Sequence, residues 1–162
     1  MKSGCVLPTQ YLWNKGSKAL MEKEYESFSQ EDTCALGEKL GREAAAGQVY
    51  TLTGDLGVGK TVFAQGFAAG LLVTEYVSSP TFTILQIYET GRIALYHFDV
   101  YRIADVSEME EVGCDEYFYG EGVCLIEWAD LIREILPENC VHITITKDPE
   151  KGFNYRKIRI TE

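Results

Sequence analysis

One stretch of eight residues, Gly54-Asp55-Leu56-Gly57-Val58-Gly59-Lys60-Thr61, restricts this chain more than any other. The apolar run Val49 to Thr53 precedes it, and a helical pattern from Val62 to Leu71 follows. Strand, G-x-x-x-x-G-K-[ST] and helix in that order are the context of a phosphate-binding loop. Glycines let backbone amides close around an anion where a Cβ would stand in the way. The helix that follows offers unpaired N–H groups and the positive end of its dipole to the same anion. Lys60 is placed to reach the β- and γ-phosphates, and the Thr61 hydroxyl to bind Mg²⁺. The stretch predicts a nucleoside triphosphate site running from Gly54 to Thr61, with Val62 at its helical end.

Composition narrows the class of partner. The chain has 162 residues, 46% of them hydrophobic, enough for one domain with a real core. Residues 1–20 contain Lys2, Lys15 and Lys18 but no acid and no periodic pattern, and they read as a disordered extension with Met21 a candidate start. Residues 21–162 then form a single nucleotide-binding domain. No apolar run approaches the ~20 residues of a membrane span. Five cysteines without C-x-x-C pairing read as reduced packing residues, which points to the cytoplasm. A net charge of −10 argues against strong, direct nucleic-acid binding, because such a surface repels a phosphate backbone.

Taken in order, Tyr25 to Phe28 reads as a short strand and Ser29-Gln30-Glu31-Asp32 as a capping box. Leu36, Leu40 and Ala44 mark one face of the helix that follows, ending near Gly47. Thr81 to Tyr88 and Ile93 to Asp99 form a hairpin about Glu89-Thr90-Gly91-Arg92. Asp105 to Glu121 holds seven carboxylates and no Lys or Arg, and reads as one or two short helices carrying Tyr117, Phe118 and Tyr119. That stretch is either a solvated face or a docking surface for a basic partner. Val123 to Glu127 is a buried strand, Ala129 to Leu136 a helical turn or two, Val141 to Thr146 an alternating strand, and Phe153 to Thr161 the closing strand. His142 falls on the polar phase of its strand and reads as a solvated or edge histidine. The pattern gives an α/β fold of the P-loop NTPase type: a three-layer sandwich whose mixed, mostly parallel sheet has helices on both faces.

A phosphate-binding loop needs a second carboxylate for the metal, at the end of a neighbouring buried strand. Leu95 to Asp99 and Val123 to Glu127 both qualify. The second is the more hydrophobic, so Glu127 is read as the metal ligand, directly or through water. Asp99 then orients the attacking water or supports the metal shell, although the residues alone leave the two roles exchangeable. Ser78-Ser79-Pro80-Thr81-Phe82 lies where a switch loop senses the γ-phosphate, or else is a polar turn about Pro80. Trp128, by residue type, is a core or interface aromatic.

Four segments together, Gly54 to Thr61, Ser79-Pro80-Thr81-Phe82, His97-Phe98-Asp99-Val100-Tyr101-Arg102 and Leu125-Ile126-Glu127-Trp128, resemble the TsaE (YjeE) family in order and spacing, from about Thr33 to the C-terminus. The resemblance implies a small cytoplasmic ATPase that uses ATP and Mg²⁺. It further implies that TsaD and TsaB homologues are its partners in making threonylcarbamoyladenosine next to the anticodon of tRNAs reading ANN codons. By the same resemblance Lys60 and Thr61 hold phosphate and Mg²⁺, Glu127 completes the metal site, and Thr81 belongs to a switch-like loop. Asp99 matches a required acid, Trp128 an aromatic important for activity, and Thr33 a threonine near the nucleotide. The sequence departs from the family pattern at Val58, Val62, Ala129 and Asp130. Two other classes compete: a regulatory nucleotide switch and a small-molecule kinase. Thr146-Lys147-Asp148 sets its aspartate one residue early for reading guanine, and Arg92, Arg102 and Arg133 lie too far apart in sequence for a kinase lid.

Overall fold

The computed structural model describes residues 10–12 and 20–162. Eight strands make one mixed sheet: β1 (Gln10–Leu12), β2 (Leu20–Ser27), β3 (Val49–Thr53), β4 (Leu85–Tyr88), β5 (Leu95–Asp99), β6 (Val123–Glu127), β7 (Cys140–Lys147) and β8 (Arg156–Thr161). Their spatial order is β1-β2-β8-β7-β3-β6-β5-β4. The central four, β7, β3, β6 and β5, run parallel, and the pairings outside them are antiparallel. Central strands covered on both faces read as continuous apolar runs, and β6 is buried at every position.

Two helices, α1 (Gln30–Glu43) and α2 (Lys60–Gly70), cover one face around Leu52, Phe63, Phe67, Leu125 and Ile143. On the other face α3 (Ser107–Val112), α4 (Cys114–Phe118) and the 3-10 helix Ala129–Ile135 enclose Phe98, Met109, Phe118, Ile126 and Ile132. The expected α/β sandwich with helices on both faces is therefore present. Its third layer stops at β3. Beyond it, Thr53, Thr144, Arg159 and Glu24 form a polar cross-strand row over β3, β7, β8 and β2. Arg159 and Lys157 pair with Glu24 along this row, and Arg159 also reaches Glu22.

The position of α2 is set by backbone contact with α1. An added Cβ would lie 2.3 Å from the Phe63 carbonyl at Gly37, 2.1 Å from the Phe67 carbonyl at Gly41 and 2.1 Å from the Cys34 carbonyl at Gly66. No side chain larger than hydrogen fits at these crossings. Because α2 begins at Lys60, the same crossing fixes where the glycine-rich loop from Gly54 ends.

Several boundaries differ from expectation for physical reasons. β2 begins at Leu20 rather than Tyr25, because its outward residues Glu22, Glu24 and Glu26 are matched by β8 across the sheet instead of being apolar. Of the segment 1–20, expected to be disordered, residues 10–12 pair with Leu20–Glu22 as β1, and residues 1–9 and 13–19 lie outside the described residues. β4 begins at Leu85, not Thr81: Thr83 N and Ile84 N both donate to the Pro80 carbonyl and turn the chain there. β8 begins at Arg156, since turns at Pro149 and Gly152 occupy the residues before it. His142 is exposed as expected, but β7 is an interior strand, so it is not an edge residue. In the acidic stretch, Phe118 is buried against Phe98 and Tyr117 packs edge-to-face with Tyr96, leaving Tyr119 as its exposed aromatic.

Candidate functional site

Between β3 and α2 the chain takes conformations reserved for glycine. Gly54, Gly57 and Gly59 have φ of 149°, 71° and 112°. At Gly54 a Cβ would also lie 2.5 Å from the Ile145 carbonyl of β7. Two anchors hold the loop: the buried Val58 side chain, and the Val58 carbonyl, which accepts from Arg156 Nε at 2.6 Å. The first-turn N–H groups of α2 have no intrahelical acceptors and face the mouth of the loop.

Lys60 opens α2 and turns back under the loop, donating to the carbonyls of Gly54 (2.6 Å) and Asp55 (2.9 Å). Its ammonium lies 4.0 Å from the centre of the Trp128 ring. Burial pushes the Lys60 pKa below its ordinary value, while Glu127 and Asp99 oppose that shift. Trp128 takes a left-handed conformation, φ 60°, immediately after β6, and its ring also packs on Tyr101 at 4.7 Å. Strain of this kind in a bulky residue persists only where surrounding contacts enforce it, and it concentrates at functional sites.

The two acids are neighbours by register, Asp99 ending β5 opposite Glu127 ending β6. Both are 2% exposed. Asp99 Oδ2 accepts from Ser79 Oγ (2.6 Å) and Thr81 Oγ1 (2.8 Å), and its Oδ1 from Tyr101 N (3.0 Å). Asp99 thus ties the Ser79–Thr81 loop to the sheet. Glu127 Oε1 meets His97 Nε2 at 2.8 Å. Lys60, Thr61, Ser79, Thr81, Asp99, Glu127 and Trp128, with Leu56, Gly57, Gly59, Val62, Tyr101 and Arg102, line one cleft of about 460 Å³.

A second hollow of about 230 Å³ adjoins the loop on its other side, lined by Ser29, Thr33, Gly57, Val58, Gly59, Val62, Asn154 and Arg156 among others. Thr33 lies there with its hydroxyl already shared with Ser27 Oγ at 2.7 Å. Gly54 and Asp55 lie behind the loop, beside Trp128, Asp130 and Arg133. The structure therefore gathers every expected site residue around one loop. Sequence reading gave no role to His97, Tyr101 or Arg156. His97 and Tyr101 stand inside a recognised motif, whereas no local pattern marks Arg156.

Among the described residues no three His, Cys, Asp or Glu side chains form a ready-made metal cage. The donors that share the cleft, the Thr61 hydroxyl and the carboxylates of Asp99 and Glu127, are hard oxygens. That set suits Mg²⁺, which takes one or two carboxylates and fills its shell with water and phosphate oxygens.

Comparison with known proteins identifies the family. The model of the family described as "Threonylcarbamoyl adenosine biosynthesis protein TsaE" matches residues 27–158. The chain belongs to the TsaE family. It is 46% identical over 142 residues to the tRNA threonylcarbamoyladenosine biosynthesis protein TsaE of Bacillus subtilis, covering 88% of this chain and 87% of that one. The TsaE protein of Treponema pallidum is 44% identical over 119 residues, covering 74% and 87% of the two chains. The crystal structure of Bacillus subtilis YdiB superposes with a TM-score of 0.76 at 41% identity, over 90% of this chain and 88% of that one. The TsaE match spans the loop, both acids and Trp128, so all of the cleft belongs to the shared domain.

Proposed function

We propose that this protein is a Mg²⁺-dependent ATPase acting in the cytoplasm with TsaD and TsaB homologues, in the synthesis of threonylcarbamoyladenosine on tRNAs reading ANN codons. The observation that carries the reading is the convergence of Lys60, Thr61, Asp99 and Glu127 on one cleft at the N-terminus of α2. Family membership supports the pathway, since the relatives are described as tRNA threonylcarbamoyladenosine biosynthesis proteins.

In this mechanism the α2 N–H groups and the loop amides bind the β-phosphate, and Lys60 exchanges its two carbonyl acceptors for β- and γ-phosphate oxygens. Thr61 and Glu127 would hold Mg²⁺, which when bound offsets charge on the transferring phosphoryl group. Asp99 accepts a hydrogen bond from the attacking water or from water in the metal shell. To do so its carboxylate must share or release the Ser79 and Thr81 hydroxyls, which couples the loop to the phosphate site. The adenosine end lies toward the hollow that contains Thr33.

A phosphate-release assay with ATP and Mg²⁺, run with and without TsaD and TsaB homologues, tests the proposal. Slow release alone and faster release with partners is expected. No binding of ATP by the pure protein would overturn the ATPase reading, and release only onto an added small-molecule acceptor would favour a kinase.

A further inference from the structure

The His97 side chain is fully buried in β5, yet only one of its ring nitrogens has a protein partner. Nε2 meets Glu127 Oε1 at 2.8 Å, and among the described residues Nδ1 finds no hydrogen-bonding group. A carboxylate oxygen only accepts, so Nε2 carries the hydrogen and donates, and in the neutral ring Nδ1 is left as a bare acceptor. The opposite tautomer would set two lone pairs against each other and bury an N–H without an acceptor. As packing alone this arrangement is poor: a leucine would fill the space without burying an unpaired polar atom.

The polar side of the imidazole makes one contact, and that contact leads to the cleft. β5 and β6 run parallel with His97 beside Leu125 and Asp99 beside Glu127. The histidine therefore lies one step further from the cleft than the glutamate and reaches it from behind. Glu127 lines the cleft, and among the described residues no other hydrogen-bond donor holds its carboxylate. Fixing Oε1 fixes the plane of the carboxylate, and with it the direction in which Oε2 presents. Carboxylate ligands of metals are commonly held in this way by a hydrogen bond from a residue that does not itself touch the metal.

We propose that His97 is a positioning residue that orients Glu127 for Mg²⁺, a role that rests on the nucleotide-and-Mg²⁺ reading of the cleft. It makes a separable demand: loss of the Nε2 donor weakens metal binding and spares the nucleotide contacts of Lys60 and the loop. The carboxamide of glutamine can return an N–H to the same place, whereas leucine cannot.

The test titrates Mg²⁺ onto the full chain with a fluorescent, non-hydrolysable ATP analogue, after melting curves confirm folding. His97→Leu is expected to lose at least ~10-fold in apparent Mg²⁺ affinity while the metal-free affinity for the analogue stays within about 2-fold, and His97→Gln to recover most of the loss. Parent-like Mg²⁺ affinity in folded His97→Leu, or a glutamine variant as weak as the leucine one, overturns the role. A second measurement uses the parent chain alone, so it holds even where the leucine variant does not fold. The chain has two histidines, which makes the ring-nitrogen resonances assignable with a single His142 variant. The Nε2 resonance of His97 is expected to shift when Mg²⁺ joins the bound analogue. A resonance unmoved by Mg²⁺ overturns the role. A parent protein whose grip on the analogue is indifferent to Mg²⁺ overturns the reading of the cleft itself.

Discussion

Trp128 roofs Lys60: the ammonium lies 4.0 Å from the centre of the indole ring, on a residue held in the left-handed conformation at φ 60°. The pair joins the end of β6 to the start of α2, and it places an aromatic reporter on the cation proposed to meet phosphate. ATP binding, which draws Lys60 toward phosphate, is expected to change the fluorescence of Trp128. Trp128→Phe should keep nucleotide affinity close to the parent, and Trp128→Ala should change it by about 0.5–2 kcal/mol, the range of a partly desolvated cation–π contact. Equal affinities in parent and alanine variant would show the indole to be a bystander.

Lys60→Ala removes the cation altogether. Affinity for ATP, or its rate of hydrolysis, is expected to fall at least ~10-fold, corresponding to ~1.4 kcal/mol or more. A variant that binds and turns over ATP like the parent would remove the basis for the proposed function.

Asp99 and Glu127 separate by different readouts. Asp99→Ala frees the Ser79 and Thr81 hydroxyls, so amide hydrogen exchange over residues 78–84 should rise and hydrolysis should slow with nucleotide still bound. Glu127→Ala should instead weaken Mg²⁺-dependent binding and leave exchange in that loop close to the parent level. The reverse pattern would exchange their roles.

How much of this was legible beforehand depends on whether the signal is local. The loop from Gly54 to Thr61 was complete in the sequence because its chemistry lies within eight adjacent residues. Asp99 and Glu127 were found because each ends an apolar run. The His97–Glu127 contact was not, since it depends on β5 lying parallel beside β6, a register that no local pattern reveals. β2 was cut short because its outward glutamates look like a loop until β8 supplies Lys157 and Arg159. The glycines of α1 and α2 likewise look like weak helix residues until their backbones are seen to touch.

Stability should fall in alkali through buried thiols and one phenol. Burial pushes Cys124 and Tyr50 up to about 12 and Cys140 up to about 11. Each folded pKa lies above its unfolded value near 9 or 10, so the unfolded chain releases these protons first. The contribution is complete below about pH 9 and is lost as pH rises toward 11 or 12. Denaturant melts from pH 7 to 11 should show this decline, and Cys124→Ala, though less stable at pH 7, should show a shallower one. A slope unchanged in that variant would rule out Cys124 as a source.

Reversing Glu110, Glu111 and Glu116, exposed on α3 and α4, tests the acidic stretch as a docking surface. Glu108 is left in place because its carboxylate accepts from Ala104 N and Asp105 N. Association with TsaD and TsaB homologues should slow and lose its dependence on salt between ~0.05 M and ~0.3 M, with ATP binding by the isolated chain intact. Identical salt curves for parent and variant would leave these acids as solvated surface.

The crossing at Gly37, Gly41 and Gly66 governs which parts of the molecule can move. Side chains can rotate to accommodate a sliding neighbour; main-chain carbonyls 2.1–2.3 Å from where a Cβ would be cannot. α2 is thus bolted to α1, and the floor of the cleft behaves as a fixed anvil. Under the proposed function, movement on nucleotide binding is then expected in the opposite jaw, the Ser79–Thr81 segment, whose side-chain ties to the sheet are the two hydroxyls on Asp99. On that proposal the cycle hinges one loop against a rigid block, and the signal offered to a partner is the position of that loop and not a tilt of helices.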